Sequence, residues 1–283
     1  MLAVAITPDG DYALSSGLDF VLRKWDLRSG GYTHSCEAGG PLNAITVSPD
    51  GEWALLSTVM GAVQWDLHRW QFIRSFLTYK GRTDDLAYSD ELGMVIGVGE
   101  DTLIYRWDLE TGEKHEPLVD HQYPVSALSL GKNNDTLLSG DSSGNLRFLD
   151  LSTGECLLTW QGHEGKITDH ALLSHSRQVI TASQDALIKI WDLDTGDQLQ
   201  ELSSHTGWVE ALAVSEQEKW MVSAGEDGIR IWDLVNHQNI YADNSVDISC
   251  LALSPDEQYA INGSRDGSLS IWSNLPSDEN IHI

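Results

Sequence analysis

The amino-acid sequence predicts an all-β fold made of seven small antiparallel sheets in a radial arrangement. The main observation is a Trp-Asp pair that recurs every 40 to 42 residues along the 283-residue chain, twice in a degenerate form. Its first residue falls at Trp25, Trp65, Trp107, Leu149, Trp191, Trp232 and Trp272. Seven units of this period account for essentially the whole sequence, so no linker or second domain is left over.

Each unit contains short strand-like segments separated by turn residues. Residues 211–215 (ALAVS) and 221–225 (MVSAG) are apolar runs of strand length, and residues 229–233 (IRIWD) alternate as a half-buried strand should. Residues 7–10 (TPDG) and 48–51 (SPDG) place proline and aspartate where a type I turn accepts them, followed by glycine. Four short strands in each of seven units form a closed radial array, which limits exposed sheet edges.

With this repeat, the sequence resembles the WD-repeat β-propellers over its entire length. The resemblance implies a seven-bladed β-propeller with four antiparallel strands per blade, in which the innermost strand lines a central channel. The tryptophan then ends the third strand of each blade. A single domain spans residues 1–283, with blades at approximately 1–38, 39–78, 79–119, 120–160, 161–203, 204–242 and 243–283.

Blades 5 and 6 carry the fullest form of the motif, and the resemblance implies a hydrogen-bonded network inside each of them. A histidine, a hydroxyl and an aspartate also make up a catalytic triad. A catalytic site is needed only once, whereas this set is complete twice, so a structural role is favoured. The network residues are His163, Thr181, Asp185 and Trp191 in blade 5 and His205, Ser223, Asp227 and Trp232 in blade 6.

Blade 4 departs from the motif. It keeps His121 but has Ser143 where the aspartate is expected and Leu149 where the tryptophan is expected. We therefore expect it to be the least internally bonded of the blades that keep a histidine. Residues 140–144 (GDSSG) also match the nucleophile-elbow pattern, but that motif needs a strand, a strained turn and a helix, and no helix is predicted here.

The charge of the chain is strongly acidic, with 43 acidic against 17 basic residues and a formal net charge of −26. This surface repels nucleic acid and anionic membranes, because both bind proteins largely through Lys and Arg. It either keeps the protein soluble or docks a basic protein or peptide, and both interpretations stay open.

The other composition signals point to the cytoplasm. The isolated Cys36, Cys156 and Cys250 favour a reducing compartment, and the N-terminus lacks the features of a signal peptide.

No cofactor or metal site is predicted. His170 and His175 are five residues apart on a predicted strand, so they point to opposite faces and cannot share a metal. His170 is expected to be a core histidine with its polar atoms paired.

Partner binding is expected on one face of the propeller, because the resemblance implies that such propellers bind through the loop before the inner strand and the turn that holds the aspartate. Trp208 is the strongest candidate, since tryptophan and arginine dominate interface hot spots. The other candidates before or in the inner strands are Asn43, Arg82, Asp84, Lys166, Thr168, Glu210, Asp247 and Ser249. The candidates beside the turn aspartate are Leu18, Glu100, Gln184, Glu226 and Arg265.

The predicted function is a non-catalytic scaffold module, a monomeric propeller that presents one face to a protein or peptide. The first unit begins inside its inner strand, so we expect the ring to close by side-chain packing, with residues 279–283 supplying the fourth strand of blade 7. We also expect the chain to be a piece of a longer protein. One alternative is the C-terminal sensor portion of a larger signalling protein with a nucleotide-hydrolysing switch or a kinase. Another is a hydrolase dependent on Ser142 or Thr181.

Overall fold

The computed structural model of the chain describes residues 1–78, 81–119, 121–131, 135–173, 175–244, 247–273 and 275–276. These residues form seven antiparallel sheets, and neighbouring strands within each sheet follow one another along the chain. The fold is a seven-bladed β-propeller without helices in its described part, which confirms the predicted fold class.

The first four blades each contain four strands. They are β1 (Ala3–Ile6), β2 (Tyr12–Ser16), β3 (Val21–Asp26) and β4 (Tyr32–Glu37) in blade 1, and β5 (Ile45–Val47), β6 (Trp53–Thr58), β7 (Gly61–Asp66) and β8 (Gln71–Leu77) in blade 2. Blade 3 contains β9 (Thr83–Ser89), β10 (Met94–Gly99), β11 (Leu103–Asp108) and β12 (Leu118–Val119). Blade 4 contains β13 (Val125–Leu130), β14 (Thr136–Asp141), β15 (Asn145–Asp150) and β16 (Cys156–Gln161).

Blades 5 and 6 also have four strands, and three strands of blade 7 lie in the described residues. Blade 5 contains β17 (Ile167–Leu173), β18 (Gln178–Ser183), β19 (Ile188–Asp192) and β20 (Gln198–Leu202). Blade 6 contains β21 (Val209–Val214), β22 (Trp220–Gly225), β23 (Gly228–Asp233) and β24 (Gln238–Asp243). Blade 7 contains β25 (Ile248–Leu253), β26 (Tyr259–Ser264) and β27 (Leu269–Ser273).

The turns form as their residues predict. In residues 7–10 the Gly10 amide donates to the Thr7 carbonyl at 2.9 Å, and Gly10 has a φ of 72°, which glycine adopts without strain. The aspartate of each Trp-Asp pair fixes the next turn. Asp192, for example, accepts hydrogen bonds from the amides of Asp194 and Thr195 at 2.8 and 3.0 Å. These carboxylates thus satisfy backbone donors that the strands leave unpaired.

The hydrophobic core is divided into layers between neighbouring blades. Between blades 5 and 6, Ile180 and Ile188 pack against Val209 and Met221, and all four are at most 2% exposed. Equivalent clusters occupy the six other junctions of the ring. Each fully buried aliphatic side chain contributes about 1.5–3 kcal/mol, so the blades are held together mainly by these apolar layers.

The ring closes between blade 7 and blade 1. Cys250 and Ile261 pack against Val4 and Ala13, and the Ser249 hydroxyl donates to the Met1 carbonyl at 2.7 Å. Apolar side chains thus pack across the junction as expected, and hydrogen bonds join the first and last blades as well. The strand predicted at residues 279–283 lies outside the described residues.

Candidate binding face at the channel mouth

The predicted networks of blades 5 and 6 are present. His163 Nδ1 lies 2.9 Å from Asp185 Oδ2, and His163 Nε2 lies 2.7 Å from the Thr181 hydroxyl. The Trp191 indole donates to the same hydroxyl at 2.9 Å. Burial opposes ionisation of Asp185, but hydrogen bonds from His163 and from backbone amides outweigh it and hold its pKa below the usual value.

Blade 6 repeats this geometry. His205 lies 2.6 Å from both Asp227 Oδ1 and the Ser223 hydroxyl, and the Trp232 indole donates to Ser223 at 2.8 Å. Burial lowers the pKa of His205, although Asp227 opposes this shift. The triad hydroxyls Thr181 and Ser223 are both 0% exposed. A substrate therefore cannot reach them in this structure, and both networks have the geometry of internal bracing.

In blade 4 an aspartate from another position binds the histidine. His121 Nδ1 lies 3.0 Å from Asp141 Oδ2, and Nε2 lies 2.8 Å from the Ser139 hydroxyl. Asp141 ends β14, two residues before Ser143, and it also accepts from the amides of Ser143 and Asn145 at 2.9 and 3.0 Å. A carboxylate from a neighbouring position takes the role of the missing turn aspartate, so the histidine itself is fully bonded. With Leu149 in place of the tryptophan, blade 4 still has fewer members in this network than blades 5 and 6, in line with the expectation. Blade 4 lacks only the indole donor.

His170 is buried as predicted, but only half of it is paired. The Ser129 hydroxyl lies 2.6 Å from Nδ1, whereas Nε2 has no hydrogen-bond partner. Burial lowers the pKa of His170 to about 4, so the ring is neutral near neutral pH. His175 lies beyond the end of β17 and faces Glu218 at 3.1 Å, so the two histidines do not share the predicted strand.

The seven inner strands surround a cavity of about 870 Å³ at the mouth of the channel. It opens on the face that carries the turns between the second and third strands. Nine of the predicted binding residues line it, and they come from six of the seven blades. These are Leu18, Asn43, Arg82, Asp84, Lys166, Thr168, Glu210, Ser249 and Arg265.

One group of predicted residues forms an ion cluster around Arg265. Its guanidinium lies 2.7 Å from Glu210, 3.6 Å from Glu226 and 3.5 Å from Asp247. Burial raises the pKa of Glu210, although Arg265 and Lys166 oppose the shift. The structure thus brings together residues of blades 6 and 7 that are up to 55 positions apart in the chain.

A second group lies across the mouth around Arg82. The Arg82 guanidinium lies 2.6 Å from Asp84 and 3.9 Å from Glu100, and the Asn43 side-chain amide donates to Asp84 at 3.1 Å. These contacts join blades 2 and 3. Both arginines are 42–45% exposed at the side chain, so a partner can reach them.

Two predicted residues connect blades through their hydroxyls. Thr168 donates to the Val209 carbonyl at 2.6 Å, and Ser249 donates to the Met1 carbonyl at 2.7 Å. Each bond satisfies a carbonyl on the free edge of the next inner strand, which has no strand partner on the channel side. Their place on the face is as predicted, but their hydroxyl protons are already used within the ring.

The other predicted residues lie around the cavity rather than in it. Trp208 is 42% exposed, and its amide donates to Glu226 at 3.3 Å. Gln184 is half-buried beside Lys166, whose carbonyl accepts from the Gln184 amide at 3.0 Å. The exposure of Trp208 is compatible with a contact residue for a partner.

Sequence reasoning missed two carboxylates in the channel wall, Asp85 and Asp169. Each accepts the edge amide of the next blade, from Leu128 to Asp85 and from Leu212 to Asp169, both at 2.7 Å. Burial raises the pKa of Asp85 to about 6 and that of Asp169 to about 7. Aligning the inner strands would have shown the signal. The other blades have small residues or cysteine here: Ala3, Ala44, Ala127, Ala211 and Cys250.

In the part of the chain that the structure describes, no group of three or more His, Cys, Asp or Glu side chains is arranged to hold a metal ion. The same residues include no helix of the length and apolar character needed to span a membrane.

The architecture defines the chain as a seven-bladed β-propeller with a polar cavity at one end of its channel. The family model of the WD domain, G-beta repeat (WD40), matches residues 154–192, 196–233 and 236–273. The chain therefore carries WD40 repeats, and its resemblance to the WD-repeat β-propellers is confirmed.

Several curated proteins are similar to parts of the chain. A WD repeat-containing protein 26 homolog from Arabidopsis thaliana is 28% identical over 172 residues, covering 58% of this chain and 28% of that protein. The target of rapamycin complex subunit wat1 of Schizosaccharomyces pombe is 25% identical over 147 residues, with coverages of 50% and 46%. The small ribosomal subunit protein RACK1z of Arabidopsis thaliana is 39% identical over 64 residues, with coverages of 23% and 20%. Each match spans less than half of the relative's own length.

Proposed function

We propose that the chain is a non-catalytic scaffold module that binds a protein or peptide on the face around the channel mouth. The observation that carries this proposal is the cavity of about 870 Å³, where charged and polar side chains from several blades converge. Arg82, Arg265 and Trp208 are partly exposed at its rim, and arginine and tryptophan are the residues most often found at interface hot spots.

The relatives support the same kind of function. One is named as a subunit of a complex and another as a ribosomal subunit protein, so both names place the proteins in larger assemblies. We further propose that residues 1–283 act as one monomeric propeller domain in the cytoplasm. All three cysteines lie in the described residues and none of them forms a disulfide, which fits a reducing compartment.

Affinity capture from native lysate tests the binding face. The parent chain is compared with Trp208→Ala and Arg265→Ala, and Ile240→Ala on the outer strand β24 serves as the control, since Ile240 is 49% exposed away from this face. We expect the face variants to lose the captured proteins and the control to keep them. Equal capture by all four chains would show that the partner binds elsewhere.

A second candidate is that the module forms the sensor or interaction portion of a longer regulatory protein. It is favoured by the lengths of the relatives, since the match covers only 28% of the Arabidopsis thaliana WD repeat-containing protein. Sequencing the complete native gene tests it, and an adjoining nucleotide-hydrolysing or kinase domain is the expected result. The hydrolase alternative requires that Ser142→Ala abolish any measured hydrolysis.

A further inference from the structure

The turns between the second and third strands differ chemically around the ring. In blades 3 to 7 they carry polar or charged pairs, at residues 100–101 (ED), 142–143 (SS), 184–185 (QD), 226–227 (ED) and 265–266 (RD). Blades 1 and 2 instead expose Leu18, Phe20, Val59 and Met60, which are 75%, 44%, 45% and 61% exposed. We refer to these four residues as the apolar patch. Grouped exposed apolar side chains of this kind mark interaction sites.

The two halves of the apolar patch are joined by the loop between blades 1 and 2. The Ala38 amide donates to the Phe20 carbonyl at 2.7 Å. Two residues further on, a Cβ placed on Gly40 would lie 3.5 Å from Val59 Cγ1. The loop therefore lies against both turns, and Gly40 adds no side chain between them. Leu18 also lines the channel cavity, so the apolar patch continues into the mouth.

The cavity beside the apolar patch carries excess negative charge. Six carboxylates line it, against four basic side chains and the Met1 ammonium, which leaves an excess of one negative charge when all six are ionised. The three arginines are already paired, Arg23 with Asp19 at 2.6 Å, Arg82 with Asp84 at 2.6 Å and Arg265 with Glu210 at 2.7 Å.

The two channel carboxylates are not neutralised in this way. Asp85 and Asp169 accept hydrogen bonds from backbone amides, and no ion pair joins either of them to a cation of the described residues. Lys166 is the cation whose charge acts on Asp85. The open mouth is therefore complementary to one further positive group.

We propose that the apolar patch and the channel mouth bind one peptide segment with two or more apolar side chains next to a lysine or arginine. The apolar side chains cover Leu18 and Met60, and the basic side chain enters the cavity towards Asp85 and Asp169. A second copy of this chain is disfavoured as the occupant, because two chains of net charge −26 repel each other. The inference rests on the proposed function and specifies its partner.

Selection from a phage-displayed library of random peptides on the complete chain tests the inference. We expect the enriched peptides to combine apolar residues with Lys or Arg. Their affinity, measured by fluorescence anisotropy, should fall about tenfold or more in the Leu18→Ser/Met60→Ser double variant, which removes central apolar contacts. It should also fall in Asp85→Asn/Asp169→Asn and with added salt.

Matched controls separate these effects from misfolding. Leu157→Ser/Leu199→Ser changes two similarly exposed leucines on the outer strands β16 and β20, at 49% and 46% exposure, and should leave affinity unchanged. Thermal melting of each variant checks that the propeller is intact. The patch residues are exposed, so their substitution should hardly affect stability.

Four outcomes would overturn the inference. Peptides that lose affinity in Trp208→Ala and Arg265→Ala but not in the patch variant would leave the proposed function standing without it. Peptides that lack basic residues, or that bind equally well to Asp85→Asn/Asp169→Asn, would show that no basic side chain of the peptide binds in the cavity. Self-association that the patch variant relieves would make a second copy the occupant. A library without any enriched binder would leave this face with no peptide ligand.

Discussion

The network histidines His121, His163 and His205 each have both ring nitrogens within 3.1 Å of a partner, a carboxylate on one side and a hydroxyl on the other. This arrangement resolves the chemical ambiguity of the Asp-His-hydroxyl set. In a triad the hydroxyl must meet a substrate. Here the hydroxyls of blades 5 and 6 accept a buried indole N–H instead, so the set connects the loop, the turn and the third strand of one blade.

Removing the carboxylate from this network should destabilise the fold. In Asp185→Ala, His163 and the amides of Glu164 and Leu187 lose their acceptor, and we expect the free energy of unfolding to fall by about 1–3 kcal/mol. Asp194→Ala is the matched control, because the Asp194 side chain is 58% exposed and forms a surface ion pair with Arg177. Urea denaturation measures both. Equal midpoints for the two variants would contradict the network.

Blade 4 offers a sharper comparison between two neighbouring residues. We expect Asp141→Ala to lower the free energy of unfolding by about 1–3 kcal/mol, since it leaves His121 without its carboxylate. Ser143→Ala should change it by less than about 0.5 kcal/mol, because only the Ser143 amide enters the network. Urea denaturation measures both variants. A larger loss of unfolding free energy in Ser143→Ala than in Asp141→Ala would mean that Ser143 takes the aspartate's place in the network, as the repeat alignment indicates.

Asp141 also shows which part of the network could not be predicted from the sequence. The histidines and the complete networks were predictable, because the motif spacing recurs. The replacement by Asp141 was not, because a carboxylate two positions earlier reaches the histidine only when the strand and turn are folded together. The half-paired ring of His170 was not predictable for a similar reason, since the Ser129 hydroxyl that contacts Nδ1 comes from blade 4, 41 residues away.

At the scale of the strand, the tryptophan that ends the third strand fills the space between two blades. Trp191 is 4% exposed and lies in the cluster between blades 4 and 5 with Leu138, Ile167 and Val179. The pairing of β19 with β20 shifts register between Ile190 and Trp191, which lets the large ring turn towards the core. The strands and turns were predictable from local pattern, but this bulge depends on pairing with the outer strand.

Truncating the Trp191 side chain should strongly destabilise the fold. We expect Trp191→Ala to lower the free energy of unfolding by about 3–5 kcal/mol, as for other large-to-small core substitutions. Trp208→Ala removes the same side chain from a site that is 42% exposed and should cost much less. Chemical denaturation followed by circular dichroism compares the two. Similar losses would mean that Trp208 is a packing residue and not a surface available to a partner.

Across the whole molecule, the apolar layers repeat at every junction, whereas the polar links in the channel wall do not. Asp85 connects blade 3 to blade 4 and Asp169 connects blade 5 to blade 6, each through a backbone amide. Burial raises the pKa of Asp169 to about 7, with the charge of Asp85 adding to the shift. The folded state therefore holds a proton that the unfolded chain releases at lower pH.

Because the pKa of Asp169 is higher in the folded than in the unfolded chain, the free energy of unfolding depends on pH. The contribution of Asp169 is present below its usual pKa of 3.8 and is lost as the pH rises through about 7. Relative to the parent, Asp169→Asn should therefore gain about 2–4 kcal/mol of unfolding free energy between about pH 4 and pH 8. Urea denaturation across this range measures the gain. Asp266→Asn is the control, because the Ser268 amide holds the pKa of Asp266 below its usual value. A difference independent of pH would contradict the assignment.

The two carboxylate links also give two junctions of the ring an amide whose hydrogen exchange reports their opening. The amide hydrogens of Leu128 and Leu212 are held by side chains that lose their proton near neutral pH, not by a neighbouring strand. When the gap beside blade 4 or blade 6 opens transiently, these two amides are freed without any strand separating inside a blade. Their rates of exchange with deuterated solvent would thus record how often the blades part, while the amides between strands record unfolding of the blades themselves.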